Sequence, residues 1–126
     1  MVSAFQSREF GFGLDITKEQ MVAVNRHRNG KNYHDKDAAN FVLSKFKKNA
    51  LKESPFIRFF EYGTNQEGYW SYNHMIVQLE DCIDCLKVLY PEFRYVFLYD
   101  HSSGHSKKRK GGLNSSSMNR SFGGTQ

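Results

Sequence analysis

The chain is short of the residues that staple, span or stiffen a protein. Its 126 residues include two cysteines, Cys82 and Cys85, and two prolines, Pro55 and Pro91. Two thiols three positions apart make no disulfide framework, so stability must come from a hydrophobic core, and a reducing intracellular setting is the default. Long apolar runs are missing too. No stretch reaches the ~18 residues of a membrane-spanning helix. Met1-Val2-Ser3-Ala4-Phe5 lacks the charged-then-apolar layout of a signal peptide. Acid is missing from the end of the chain. All 13 Asp and Glu lie in residues 1–100, with 13 of the 18 Lys and Arg, so that stretch sums to zero. The net charge of +5 falls entirely in the last 26 residues, on Lys107, Lys108, Arg109, Lys110 and Arg120. Such a segment is either a solvated tail or one that attracts phosphate backbones without reading sequence.

What is present fits one small domain. Aromatic residues make up 15% and hydrophobic residues 39%, enough to place the chain outside the disordered class. Residues 1–5 alternate weakly and suggest a strand. Ser7 to Gly13 reads as a loop with two glycines. Thr17-Lys18-Glu19-Gln20 matches a capping box, which predicts a helix from Lys18 to about Arg28 stopped by Asn29-Gly30. Asp35 or Asp37 can cap a second helix carrying Ala38, Phe41, Val42, Phe46 and Leu51, ended by Ser54-Pro55. Phe56 to Tyr62 reads as a strand and Gly63 to Gly68 as a polar turn.

The clearest helix runs from Ser71 or Asn73 to Tyr90. Met75, Ile76, Leu79, Cys82, Ile83, Leu86 and Leu89 form its apolar stripe, with Glu80, Asp81, Asp84 and Lys87 assigned to the other side. Tyr95-Val96-Phe97-Leu98-Tyr99 is an unbroken apolar run of five, the pattern of an interior strand buried on both faces. Helix, short link, buried strand and acid make an α/β arrangement, in which chemistry gathers at the carboxyl ends of strands. Asp100 falls at that point. Its carboxylate either caps the following turn or is neutralised by a divalent cation. Paired metals about 3.5–4 Å apart, held by carboxylates, activate water in phosphodiester chemistry.

Gly68-Tyr69-Trp70, Gln78-Leu79-Glu80, Tyr90-Pro91 and above all Phe97-Leu98-Tyr99-Asp100-His101-Ser102-Ser103-Gly104-His105 resemble the DDE endonuclease superfamily in its mariner-like transposase branch. Gly112-Leu113-Asn114, Met118-Asn119 and Gly123-Gly124-Thr125-Gln126 continue the likeness, and residues 15–52 match least. The resemblance implies a partial RNase H-like fold over residues 1–105, a mixed sheet with flanking helices, followed by a basic tail at 106–126. It implies Asp100 as the second of three metal-binding acids, His105 orienting the loop beside it, Mg²⁺ or Mn²⁺ as cofactor, and DNA as partner. The first acid of the family stands on a strand ahead of the segment like residues 1–5, and the third on a later helix. This sequence holds no Asp or Glu after Asp100, and Glu9, Asp15 and Glu61 match no family acid. A chain with one such acid is expected to be inactive alone, and to self-associate through the sheet edge left open.

The remaining signals carry plainer alternatives. His101 and His105 are four apart and could join Asp100 at zinc. Cys82-Ile83-Asp84-Cys85 is a lone CxxC in mid-helix, read as two small buried apolar residues, since structural zinc takes about four ligands. Lys107-Lys108-Arg109-Lys110 could contact DNA phosphates, serve as a nuclear signal or be a solvated run. Tyr69 and Trp70 fit as anchors of the long helix better than as base-stacking platforms.

Overall fold

The computed structural model describes residues 1–37, 46–61, 63, 65 and 68–100. Among these residues it is a small mixed α/β fold with two short antiparallel sheets and two helices. In chain order they are β1 (Val2–Ala4), β2 (Gln6–Ser7), β3 (Gly11–Phe12), α1 (Lys18–Arg28), β4 (Ile57–Phe59) and α2 (Tyr72–Leu89).

Both helices begin and end where their local chemistry dictates. Thr17 Oγ1 accepts the Gln20 N–H at 3.2 Å, while the Gln20 side chain accepts the Thr17 N–H at 3.0 Å. That reciprocal pair satisfies two of the donors a helix start leaves open. At the other end, Gly30 takes φ +77°, a left-handed conformation that costs glycine little. Arg26, His27 and Arg28 crowd the last turn, where cations meet the negative end of the helix dipole. In α2 the Ser71 N–H donates to Nδ1 of His74, the same reciprocal logic with an imidazole as acceptor. Trp70 stacks on His74 at 5.1 Å and meets Phe60 edge-on, so the aromatic anchor expected before this helix ties it to the end of β4.

β1 and β4 pair antiparallel, with Ser3 opposite Arg58. The side chains of Ser3, Phe56 and Phe60 face the helical layer. Ser3 Oγ donates to the buried Gln78 of α2 at 2.6 Å, and Gln78 Nε2 donates to the Ser3 and Pro55 carbonyls, both at 3.0 Å. Val24 of α1, Leu51, Phe56, and Cys82, Cys85 and Leu86 of α2 form the core, ringed by Phe5, Phe10, Leu14, Ile16 and Met21.

Several expectations are corrected. Ser7 to Gly13 is a tight hairpin, β2 against β3, not a loop; Gln6 pairs Phe12 and Ser7 pairs Gly11. Residues 36–37 are helical, but residues 38–45 of the second predicted helix lie outside the described residues. That helix does not run on to Ser54. Phe46 takes φ +72°, Asn32 bridges Lys47, and Leu51 is buried in irregular chain. The strand predicted from Phe56 to Tyr62 is confined to Ile57–Phe59 among the described residues.

The run Tyr95–Tyr99 is not an interior strand. It belongs to neither sheet, and Val96 and Leu98 are 83% and 89% exposed. Alternate residues of this segment turn outward. Tyr95 and Phe97 pack inward against the core.

Candidate functional site

The face of α2 that packs inward is rotated from the apolar stripe. Its buried residues are Val77, Gln78, Asp81, Cys82, Asp84, Cys85 and Leu86, so two acids assigned to the solvent side point into the protein. The reason is a set of cations delivered from distant parts of the chain. Arg28, from the end of α1, donates to Asp81 at 2.7 Å and to Asp84 at 2.9 Å, and both nitrogens Nε and Nη2 reach the Asn49 carbonyl. Lys48 donates to Asp84 at 2.8 Å and lies 3.8 Å from Glu80. Arg58, on β4, donates to the second oxygen of Asp81 at 2.8 Å. The Tyr33 hydroxyl donates to Asp81 at 2.9 Å.

Arg28, Lys48 and Arg58 balance Glu80, Asp81 and Asp84. No buried side-chain polar atom in the described residues is left without a partner, as a buried network requires. Burial raises the pKa of the Asp81 carboxyl, with Arg28, Arg58 and Tyr33 pulling the other way. Burial and the neighbouring Asp81 charge hold the Tyr33 phenol far above its usual range. For Arg28, the cost of burial is outweighed by Asp81 and Tyr33, so its pKa rises and it stays charged. Chemically this is a closed clamp. It has no open ligand position, and it fixes α2 against α1 and β4.

Cys82 and Cys85 stand next to the clamp, both fully buried and free of a disulfide. Burial pushes the Cys85 thiol up to about 12 and Cys82 higher still. The thiolate is the reactive form, so raising pH from 7 to 9 should leave both thiols silent in the native state. The expected result with a disulfide-exchange reagent at pH 8 is no fast labelling without denaturant and two equivalents with it. Prompt native labelling of either cysteine would contradict the burial.

The end of α2 at Leu89, ahead of Pro91, sets where the chain returns. After Pro91 the Tyr95 hydroxyl donates to the Tyr90 carbonyl. Phe97 and Tyr99 then meet the Phe5 ring edge-on, at 5.6 and 5.9 Å. Asp100 follows directly. It is exposed, it is not on a helix, and it comes off a segment that packs beside the residue following β1. Among the described residues no group of three or more His, Cys, Asp and Glu side chains could hold a metal. Glu9, Asp15 and Glu61 therefore do not build a ligand set around Asp100. His101, His105 and Lys107 to Lys110 lie outside the described residues.

The clamp is what sequence reasoning missed. One signal for it was available: Gln78, Asp81, Cys82 and Cys85 follow three- and four-residue steps, a face as regular as the apolar one. No helix among the described residues is long and apolar enough to cross a membrane. No family model matches the chain, and no curated protein and no solved structure is significantly similar to it.

Proposed function

We propose that this chain is part of a DDE-type transposase catalytic core with a partial RNase H-like fold, in which Asp100 is the metal-binding acid. The observation that carries the reading is the joint one at Asp100. The block Phe97 to His105 resembles the family's second-acid motif, and its Phe97 and Tyr99 rings pack on Phe5, so the acid emerges beside the β1–β4 sheet. The residues fit a divalent ion only weakly. One exposed carboxylate offers a hard oxygen ligand of the type Mg²⁺ and Mn²⁺ accept. A two-metal centre needs further acids, and no group of three or more candidate ligands stands among the described residues. When bound, the ion would supply Lewis acidity at a phosphodiester. Asp100 would hold it, His105 would orient the loop, and Lys107, Lys108, Arg109 and Lys110 would neutralise DNA phosphates.

The test is Mn²⁺ titration followed by paramagnetic broadening of backbone amide signals. Selective broadening around Tyr99 and Asp100, lost in Asp100→Ala, is the expected result. Uniform weak broadening, or broadening that survives the substitution, would sink the metal assignment. Plasmid DNA with Mg²⁺ or Mn²⁺ should be neither nicked nor joined by the polypeptide alone. Cleavage that depends on Asp100 would show that one acid suffices.

A second reading, non-enzymatic binding of nucleic acid, is favoured by the charge distribution, since every unbalanced cation follows Asp100. It calls for binding that weakens steeply with salt and is indifferent to metal.

A further inference from the structure

Asn29-Gly30 is the one place in the chain where an asparagine precedes a glycine. The pair makes a type II turn between the end of α1 and Lys31. Asn29 takes φ −55° and ψ 126°, Gly30 takes φ +77°, and the Lys31 N–H donates to the Arg28 carbonyl at 3.0 Å. The second central position of such a turn requires positive φ, hence the glycine. Both residues are exposed. Among the described residues, nothing hydrogen-bonds the Asn29 side chain or the Gly30 N–H.

We infer that Asn29 is a site of spontaneous deamidation, a modification whose only co-reactant is water. The Gly30 nitrogen loses its proton and attacks Asn29 Cγ. An N–Cγ bond forms, the Cγ–Nδ2 bond breaks, and the amide nitrogen leaves as ammonia, taking up a proton. The product is a five-membered succinimide, which water opens at either carbonyl. Opening at Cγ gives aspartate. Opening at the α-carbonyl leaves the chain running through Cβ and Cγ, which is isoaspartate. Ring closure needs the Asn29–Gly30 peptide to swing away from ψ 126°. A crankshaft rotation shared between Asn29 ψ and Gly30 φ does this with Arg28 and Lys31 held in place. Glycine populates both signs of φ about equally, and a Cβ at Gly30 would meet nothing within 4 Å, so no packing resists the swing. Neighbouring asparagines are better protected. Asn25 donates to the Leu51 carbonyl at 2.9 Å and accepts the Leu51 N–H at 2.7 Å, from inside α1. Asn32 and Asn49 precede Tyr33 and Ala50, whose side chains crowd the attacking nitrogen.

The consequence follows from what the turn joins. On one side stands Arg28, which holds Asp81 and Asp84. On the other, the Lys31 carbonyl accepts the Lys48 N–H at 2.9 Å, and the Tyr33 N–H donates to the Phe46 carbonyl. These bonds set Tyr33 and Lys48 against the same two acids. Isoaspartate adds one carbon to the backbone inside the ring closed by the Lys31–Arg28 hydrogen bond. The turn then no longer holds Arg28 and Lys31 in their present register, and the new carboxylate stands at the negative end of the α1 dipole. Deamidation at Asn29 therefore loosens the clamp from outside it. The inference owes nothing to the metal reading, so either can fail alone.

The experiment incubates the full, folded chain at pH 8 in water enriched in heavy oxygen, followed by peptide mapping with mass spectrometry and chromatographic separation of aspartate from isoaspartate. Asn29 is expected to take up label about tenfold or more faster than Asn25, Asn32 or Asn49, as a lower barrier to ring closure requires. Asn29→Gln should block the reaction while keeping the charge, because the longer side chain must close a six-membered ring. The isolated isoaspartate form should unfold at lower urea than Asn29→Asp, which carries the same charge on an unaltered backbone. Labelling of Asn29 no faster than that of the other three, or labelling that appears only in denaturant, would overturn the site. An isoaspartate form as stable as Asn29→Asp would overturn its link to the clamp.

Discussion

Replacing Arg28 with alanine is expected to destabilise the protein by about 3–5 kcal/mol, the range for removing one partner of a buried ion pair. The side chains of Asp81 and Asp84 are 3% and 7% exposed, so water cannot replace the guanidinium. Arg58 and Lys48 each still reach one of the acids, but the clamp would hold a net negative charge, and the Asn49 carbonyl would lose its donors. Total stabilities of small domains are about 5–15 kcal/mol, so the loss takes a large share of what is available. Urea denaturation followed by circular dichroism measures it.

Arg28→Lys should recover little, because a point charge cannot serve two carboxylates and a carbonyl as the planar fork does. The double variant Arg28→Ala with Asp81→Ala restores charge balance. It should cost less than the sum of the single losses by roughly 0.5–3 kcal/mol, the usual coupling of residues in one network. Strict additivity would mean that the two groups do not act together.

The clamp also explains which parts of the fold were legible. The ends of α1 were readable to the residue, since Thr17, Gln20 and Gly30 act through local backbone chemistry. The burial of Cys82 and Cys85 was legible for the same kind of reason: a lone pair of thiols in mid-helix has too few ligands for zinc. The inward face of α2 was not legible. Hydrophobic periodicity counts Asp81 and Asp84 as solvent-facing, and their partners arrive from 53 and 56 residues away at Arg28 and from 36 away at Lys48. The run at Tyr95 failed differently. Five apolar residues look the same whether two layers cover them or one, and composition does not record how many layers there are. Asp100 was singled out from its neighbours in sequence alone. The contacts of Phe97 and Tyr99 with Phe5, more than 90 residues earlier in the chain, were beyond the reach of a linear reading.

Phe5→Ala is the substitution that should separate the fold from the placement of Asp100. The Phe5 ring meets Phe56, Phe97 and Tyr99 edge-on, and so joins the β1–β4 sheet to the segment that delivers the acid. Because Phe5 is only half-buried, its loss should cost roughly 2–3 kcal/mol, below the ~3–5 of a fully buried phenylalanine. The consequence should be uneven. The clamp holds α1, α2 and β4 without Phe5, whereas the 95–100 segment would lose the ring that ties Phe97 and Tyr99 to the residue after β1. Backbone NMR order parameters at residues 95–100 are therefore expected to fall far more than in α2, as local loosening does. Phe5→Leu, which retains apolar contact but removes three aromatic pairs worth about 0.5–1.5 kcal/mol each, should fall between. If the order parameters at 95–100 stay as they are in the parent chain, the segment is held by something other than the ring. The position of Asp100 would then be independent of β1.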